Sequence, residues 1–219
     1  MKTRSLPNSG VSFAPKNEEQ QCFLQSMQRN YLTVCKSRQF GNGKTYCAIG
    51  HASKLLEDHA INRVVFCRDT SQVSDRLGYS PGSRKEKLFE SVKFALSYFR
   101  FFLGDSFQKY SPSIEYRDVA DIAGETFEDA FMILDEAADC SLDDITMFIS
   151  RAGRGTRCAI LGTDRQVTRN ASCFRSLFHT LQGVPNVGLI ELTQILRTDW
   201  LRAVLDAIDG QSSDYRMHA

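Results

Sequence analysis

The stretch Gly41-Asn42-Gly43-Lys44-Thr45 lies between an apolar run that ends near Cys35 and a helical pattern that continues to Glu57. Its two glycines allow the backbone to turn N–H groups towards a phosphate, and a helix beginning near Lys44 adds the positive end of its dipole. Strand, glycine loop, Lys-Thr and helix is the order typical of a phosphate-binding loop. The full pattern G-x-x-x-x-G-K-T lacks its first glycine, because Arg38 stands there. Taken alone, the loop leaves a phosphate site and an ordinary helix N-terminus equally open.

A second segment, Phe131-Met132-Ile133-Leu134-Asp135-Glu136, is an apolar strand that ends at two adjacent acids. A buried strand gains nothing from ending in two carboxylates unless they act on a cation or a water molecule. In this interpretation Asp135 and the Thr45 hydroxyl hold Mg²⁺, Lys44 bridges the outer phosphates, and Glu136 polarises the attacking water. The other interpretation, a solvated acidic turn, is less favoured once Lys44 and Thr45 upstream are considered.

A third candidate is Gln166, in the segment Gly162-Thr163-Asp164-Arg165-Gln166 that follows a further apolar run. A polar side chain just past a strand, next to the strand that carries the acids, can touch a γ-phosphate and respond to its presence. This segment is weak by itself. The favoured interpretation of the segment is an ordinary β-to-α loop.

The rest of the chain alternates short apolar runs with helical patterns, which predicts an α/β fold with a mostly parallel sheet and helices on both faces. The predicted strands are 31–35, 64–67, 131–134, 158–161 and 187–192, and the predicted helices are 44–57, 85–103, 142–151, 173–181 and 200–208. The 219 residues are expected to form a single domain over 15–210, with a flexible arm at 1–14 and a tail at 211–219.

The composition excludes several classes of protein. Lys and Arg number 27 and Asp and Glu number 26, so a protein that binds nucleic acid through overall basicity is excluded, although a local basic groove is not. With 42% hydrophobic and 24% charged residues, the chain is neither disordered nor fibrous. Its seven scattered cysteines contain no C-x-x-C pair, which fits a reducing cytoplasm rather than a zinc cluster or a disulfide framework. We expect neither secretion nor a membrane span, because charged residues interrupt the most apolar stretch, 88–103.

Taken together, these segments resemble the PhoH-like proteins, P-loop ATPases related to superfamily-one helicases. The resemblance extends over about residues 16–208. Its most specific part is 68–82, which is similar to the family's R-P-x-x-x-x-G-E-x-L-G-F-x-P-G. Thr126, Asp129 and Ala130, which lead into the two acids, also match the family's pattern. The resemblance implies a RecA-like P-loop NTPase fold.

The resemblance also implies which residues bind the nucleotide. Lys16-Asn17-Glu18-Glu19-Gln20 is similar to the family's K-N-x-x-Q, whose glutamine is expected to contact adenine, and this implies ATP rather than GTP. Arg197 corresponds to an arginine expected to act on the γ-phosphate of its own or a neighbouring subunit, and Arg151 is a second candidate for a contact across subunits. The implied nucleotide-binding residues are Gln20, Gly41, Asn42, Gly43, Lys44, Thr45 and Tyr46.

The catalytic residues implied in this way are Lys44, Asp135, Glu136, Gln166 and Arg197, with Thr45 and Asp135 as the Mg²⁺ ligands. The expected cofactors are ATP and Mg²⁺. The expected partners are RNA or single-stranded DNA and further copies of this chain, because an arginine supplied across an interface needs a neighbouring subunit. By family resemblance the expected assembly is a ring such as a hexamer, and no membrane partner is expected.

By analogy with helicase motifs that follow the second strand, a group of basic residues is predicted to contact a nucleic-acid backbone. These residues are Arg68, Arg76, Arg84, Lys85 and Lys87. In the other interpretation, Leu77-Gly78-Tyr79 and Pro81-Gly82 only shape a packed turn. The sequence leaves both interpretations open.

Several positions depart from the family's pattern, and each departure removes chemistry. They are Arg38 at the first loop glycine, Ala123 and Glu125 at two arginines, Ala138 and Asp139 after the acids, and Thr163 at an aspartate. The changes at 123 and 125 alter the local charge by about three units, which weakens contacts with phosphate or RNA.

Two hypotheses follow from the residues that match the family's pattern and the positions that depart from it. In the first, the protein is an ATPase that couples hydrolysis to remodelling RNA or single-stranded DNA. In the second, it is a catalytically weakened nucleotide-binding or structural relative that acts through assembly or partner binding. A small-molecule kinase is a poorer third hypothesis, because Glu136 directly after Asp135 suits water activation.

Overall fold

A computed structural model describes residues 10–70, 84–164 and 171–196, together with 198 and 204. Within these residues, one sheet contains six strands in the order β3-β2-β4-β5-β1-β6, and all neighbouring strands run parallel. The strands are β1 (Leu32–Ser37), β2 (Arg63–Arg68), β3 (Ile114–Asp118), β4 (Ala130–Asp135), β5 (Arg157–Thr163) and β6 (Val187–Leu192). The helices are α1 (Glu18–Arg29), α2 (Lys44–Glu57), α3 (Arg84–Leu103), α4 (Phe107–Tyr110), α5 (Leu142–Ser150) and α6 (Ala171–Thr180).

Every residue of strand β4 is buried, as expected for a central strand of a parallel sheet that is covered on both faces. Phe131 and Ile133 belong to the core on one face, beneath α1, α2 and α3. Met132 and Leu134 belong to the core on the other face, beneath α5 and α6. The predicted α/β fold, a parallel sheet with helices on both faces, is therefore confirmed.

The sequence missed three of these elements, which are strand β3, helix α1 and the single-turn helix α4. Strand β3 carries only two buried residues, because it lies at the sheet edge and alternates apolar with charged side chains. Helix α1 was missed because two of its four buried side chains, Gln20 and Ser26, are polar, which conceals the apolar period. The predicted helix 200–208 lies outside the described residues except for residue 204.

Strand β1 begins one residue later than predicted and continues two residues further, to Ser37. The extension brings a hydroxyl to the carboxyl end of the sheet, beside the glycine loop that follows. Near the start of the described chain, Val11 N–H donates to the carbonyl oxygen of Phe101 over 3.2 Å, and Phe13 packs against Tyr46 and Phe102. The division into arm, domain and tail stays a prediction.

All seven cysteines are free thiols. No group of three or more His, Cys, Asp or Glu side chains within the described ranges is arranged to hold a metal ion. The helices that the structure describes include none with the length and apolar character to cross a membrane.

Candidate functional site

The loop between β1 and α2 is shaped by two glycines with left-handed backbone angles. Gly41 has φ 91° and Gly43 has φ 83°, a region that side-chain-bearing residues enter only at a cost. Gly43 is the N-cap of α2, supplies no side-chain cap, and is followed by a first turn without an acidic residue. The N–H groups of that turn and the positive end of the helix are therefore left for an anion.

Lys44 lies at the start of α2 and extends towards the ends of the two adjacent strands β1 and β5. Its Nζ donates to Ser37 Oγ over 2.5 Å and to Thr163 Oγ1 over 3.1 Å. Both partners are neutral hydroxyls, so these bonds hold the ammonium without cancelling its charge. The sequence pattern predicts Lys44 at the site, but it does not predict Ser37, and it marks Thr163 only as the replacement of an aspartate.

Thr45 and Asp135 meet at the junction of α2 and β4. Thr45 Oγ1 donates to Asp135 Oδ1 over 2.8 Å. Asp135 is 3% exposed, and burial raises the pKa of its carboxyl, while Arg68, Thr45 and Lys44 act in the opposite direction. A buried carboxylate beside a hydroxyl is a donor set that suits Mg²⁺, which is usually bound by one or two carboxylates together with phosphate oxygens.

Glu136 follows Asp135 with φ 54°, so the chain turns sharply at the end of β4. Its Oε1 lies 3.8 Å from Arg68 Nη2, and its Oε2 is buried without a hydrogen-bond partner among the described residues. Burial raises the pKa of Glu136, and the adjacent Asp135 raises it further. The free oxygen is able to accept a hydrogen bond, or a proton, from a water molecule.

Gln20, predicted to contact adenine, is 0% exposed and contacts the backbone of the glycine loop. Its Nε2 donates to the carbonyl oxygen of Asn42 over 2.9 Å, and its Oε1 accepts from Lys16 N–H over 2.9 Å. The Asn42 side chain in turn donates to the carbonyl oxygen of Gln194 over 2.9 Å. The adenine contact stays a prediction, and the loop contact is one that the sequence pattern did not reveal.

Tyr46, another predicted nucleotide contact, lies in an aromatic cluster. Its ring centroid is 4.9 Å from that of Phe102 and 5.9 Å from that of Tyr98. The ammonium of Lys16 lies 4.9 Å from the centre of the Tyr46 ring. These contacts tie the first turn of α2 to α3 and to the chain ahead of α1.

The segment after β6 is fastened to the glycine loop and to α1. Leu196 N–H donates to the carbonyl oxygen of Gly41 over 3.1 Å. The Glu19 carboxylate accepts from the backbone N–H groups of Thr193 and Gln194 at 2.8 and 3.0 Å. The residue before Arg197 therefore lies against the loop, while Arg197 itself lies outside the described residues, as does Gln166.

The predicted nucleic-acid contacts are described only in part. Arg68 ends β2 in register with Asp135, and its Nη2 lies 3.8 Å from Glu136 Oε1. Arg84, Lys85 and Lys87 belong to the first turn of α3, but their side chains lie outside the described residues, and Arg76 lies outside them entirely.

Glu125, one of the departures from the family pattern, and Arg151, the second candidate for a contact across subunits, both have partners in the structure. Glu125 pairs with Arg117 through both carboxylate oxygens, so its negative charge is balanced locally. Arg151 donates from Nη1 to the backbone oxygen of Glu125 over 3.3 Å and from Nη2 to Ser150 Oγ over 3.0 Å. The exposed Arg38 leaves a cation at the start of the glycine loop.

The model of one protein family, described as PhoH-like protein, matches residues 12–209. Three relatives show the range of similarity. The PhoH-like protein of Bacillus subtilis (strain 168) is 28% identical over 211 residues, which cover 93% of this chain and 66% of the relative. The PhoH-like protein of Mycobacterium tuberculosis (strain ATCC 25618 / H37Rv) is 26% identical over 203 residues, or 87% of this chain and 55% of the relative. Protein PhoH of Escherichia coli (strain K12) is 26% identical over 195 residues, with the same two coverages of 87% and 55%. The chain thus spans between about half and two thirds of the length of these relatives.

Proposed function

Because this chain belongs to the PhoH-like protein family, a family of P-loop ATPases, we propose that it binds ATP with Mg²⁺ and hydrolyses the γ-phosphate bond. We further propose that hydrolysis is coupled to binding or remodelling RNA or single-stranded DNA. The observation that carries the first proposal is the contact of Thr45 with Asp135, 2.8 Å between oxygens, next to the Lys44 ammonium. It unites the three side chains that a magnesium–triphosphate requires.

Each residue has a distinct part in the proposed reaction. The loop N–H groups and Lys44 hold the phosphates, and Thr45 and Asp135 hold the metal through oxygen. Bound Mg²⁺ neutralises charge that develops on the phosphate oxygens. Glu136 orients the attacking water through its unpartnered Oε2 and accepts its proton. Burial and Asp135 raise the pKa of Glu136, which makes its carboxylate a better proton acceptor than an exposed one.

The test is phosphate release by the purified protein and two site variants. Lys44→Met is expected to abolish ATP binding. Glu136→Gln is expected to keep ATP binding and to lower phosphate release by about a hundredfold or more, the range for loss of a general base. Matched controls are Lys54→Met, at an exposed lysine of the same helix, and Asp143→Asn, at an exposed carboxylate in the first turn of α5.

The result also separates the two hypotheses. Equal phosphate release by Glu136→Gln and the wild type would remove the ATPase proposal. If ATP binding nevertheless depended on Lys44, the protein would be a nucleotide-binding relative that acts through assembly or a partner. The solution mass measured with and without ATP tests the proposed ring at the same time.

The nucleic-acid part of the proposal rests on the basic residues at the start of α3, two of which are Lys85 and Lys87. Binding of a labelled single strand is expected to weaken steeply between low and physiological salt, because phosphate contacts release counterions. Lys85→Glu and Lys87→Glu are expected to weaken binding further, whereas Lys54→Glu on helix α2 leaves it unchanged. An affinity for the strand that changes neither with salt nor with these substitutions would contradict the proposal.

A further inference from the structure

Arg68 ends strand β2 in register with Asp135, at the end of the neighbouring strand β4. Among the residues that the structure describes, its guanidinium group has three partners. Nη2 lies 3.8 Å from Glu136 Oε1, Nη1 donates to the backbone oxygen of Ser91 over 2.7 Å, and the group lies 5.3 Å from the centre of the Phe94 ring. Ser91 and Phe94 belong to the second and third turns of α3. Arg68 therefore connects α3 with the carboxylate proposed to activate water.

We propose that Arg68 is a positioning residue, which orients the Glu136 carboxylate and transmits displacements of helix α3 to it. This inference rests on the proposed ATPase function, in which Glu136 contacts the attacking water. It assigns Arg68 to the acid pair in place of the nucleic-acid backbone contact that the sequence suggested. The direct backbone contact then becomes an outcome of the test.

The two oxygens of Glu136 lie in different surroundings. Oε1 faces Arg68, whereas Oε2 is buried without a hydrogen-bond partner in the part of the chain that the structure describes. One oxygen is held electrostatically and the other is left to accept from water. Without Arg68 the carboxylate loses the group that distinguishes its two oxygens, and it is free to rotate about its side-chain bonds.

Arginine suits this task because its planar group has several donors in fixed directions and also stacks on aromatic rings. In Arg68 one end of that plane is fixed to α3 by the Ser91 oxygen and the Phe94 ring, and the other faces Glu136. A shift of α3 consequently moves the charge that orients the carboxylate. Helix α3 begins with Arg84 and Lys85, so a polyanion bound there would act on water activation rather than on ATP affinity.

The first test is a kinetic cycle in steady-state ATP hydrolysis. Arg68→Met is expected to lower kcat about tenfold or more with KM for ATP changed less than about twofold, as for an interaction made in the transition state. In the Glu136→Gln background the same substitution is expected to have almost no further effect. Phe94→Leu, which loosens the link to α3, is expected to lower kcat in the wild-type background and not in the Glu136→Gln background.

Arg63→Met is the matched control. Arg63 begins the same strand, pairs with Glu115 at 3.5 Å and lies about 17 Å from Arg68, at roughly 3.3 Å per residue. It is expected to leave kcat unchanged. A raised KM that persists in the Glu136→Gln background would mean that Arg68 contacts the phosphate, and a loss of strand binding without a loss of kcat would mean that it contacts nucleic acid. Either result would overturn the proposal.

A second cycle does not depend on hydrolysis. The urea midpoints of Arg68→Met, Glu136→Gln and the double variant are expected to be non-additive, with the double variant shifted by less than the sum of the single shifts. Additive shifts would overturn the pairing. If the wild type hydrolysed no ATP and the midpoints were still non-additive, the ATPase proposal would fail and the Arg68–Glu136 pair would stand.

Discussion

The hydroxyl of Thr45 donates to Asp135 Oδ1 over 2.8 Å, although 90 residues separate the two in sequence. The contact arises from the sheet order, in which β5 separates β1 from β4. Helix α2 follows β1 and packs against β5, β4 and β2, so its first turn reaches the end of β4. The topology thus brings a hydroxyl and a carboxylate together at the carboxyl edge of the sheet, where ligands bind in open α/β folds.

The first prediction concerns the proposed metal contact of Thr45. Thr45→Val keeps the shape of the side chain and removes its hydroxyl, so the Mg²⁺ concentration needed for half-maximal binding of fluorescent ATP is expected to rise about 10–100-fold. Thr45→Ser keeps the hydroxyl and is expected to stay close to the wild type. The measurement is a magnesium titration at fixed nucleotide concentration.

The control for this prediction is Thr146→Val, at an exposed threonine of α5 whose hydroxyl donates to the backbone of its own helix. It is expected to leave the magnesium titration unchanged. An unchanged titration for Thr45→Val as well would show that the hydroxyl does not act on the metal.

The second prediction separates backbone strain from steric overlap in the glycine loop. A Cβ at Gly43 would lie 2.4 Å from Gln20 Nε2, and the residue has φ +83°. Gly43→Ala is therefore expected to cost about 1–2 kcal/mol through its backbone angle and more through displacement of Gln20, and to weaken ATP binding. Gly124→Ala, with φ +84° and no atom within 4 Å of its Cβ, isolates the strain. Urea unfolding of both variants measures the difference in their free energies of unfolding. Equal losses of stability would mean that the Gln20 side chain moves aside without a cost.

The proximity of the central residues follows from two fixed local patterns, a phosphate loop and a strand that ends in acids, whereas their roles in nucleotide binding and catalysis stay predictions. Thr45 contacts Asp135, and the charges of Lys44 and Asp135 act on Glu136, so these side chains lie together as those patterns imply. The role of Arg68 was not predictable in this way. Its position beside the acids depends on the pairing of β2 with β4 and on the packing of α3, neither of which leaves a local signal.

The hydroxyl partners of Lys44 illustrate a second limit of the sequence. Ser37 and Thr163 are paired in register at the ends of β1 and β5, although 126 positions separate them in the numbering. Only the strand order makes them neighbours. Edge strand β3 was missed for a related reason, because a strand buried on few positions does not show an apolar run.

The third prediction concerns Gln20, whose buried side chain donates to a carbonyl oxygen of the glycine loop. A contact with the loop is independent of the base, so Gln20→Leu is expected to weaken ATP and GTP binding by the same factor. Equilibrium binding of the two fluorescent nucleotides checks this expectation. Gln25→Leu on the same helix, at a residue outside its buried set, serves as the control. A loss confined to ATP would instead support the adenine contact that the family resemblance implies.

The last prediction concerns the pH dependence of stability. His51 on α2 is buried, its ring lies edge-on to Phe131, and its Nε2 has no hydrogen-bond partner among the described residues. Burial, aided by the nearby Arg157, lowers the pKa of His51 to about 4. Between about pH 6.5 and 4 the unfolded chain therefore binds a proton on this imidazole that the folded chain does not. The free energy of unfolding consequently falls as the pH is lowered through this window.

Between pH 7 and pH 5 the contribution of His51 is expected to fall by about 2 kcal/mol. The raised pKa values of Asp135 and Glu136 act with the opposite sign, because a folded chain that binds more protons gains stability as the pH falls. Wild type and His51→Leu are therefore compared at the same pH values by urea unfolding. The carboxylates contribute equally to the pH dependence of both proteins, so their contribution cancels in the comparison. His51→Leu is expected to lose less stability than the wild type from pH 7 to pH 5, and parallel losses would show that His51 takes up its proton in the folded chain.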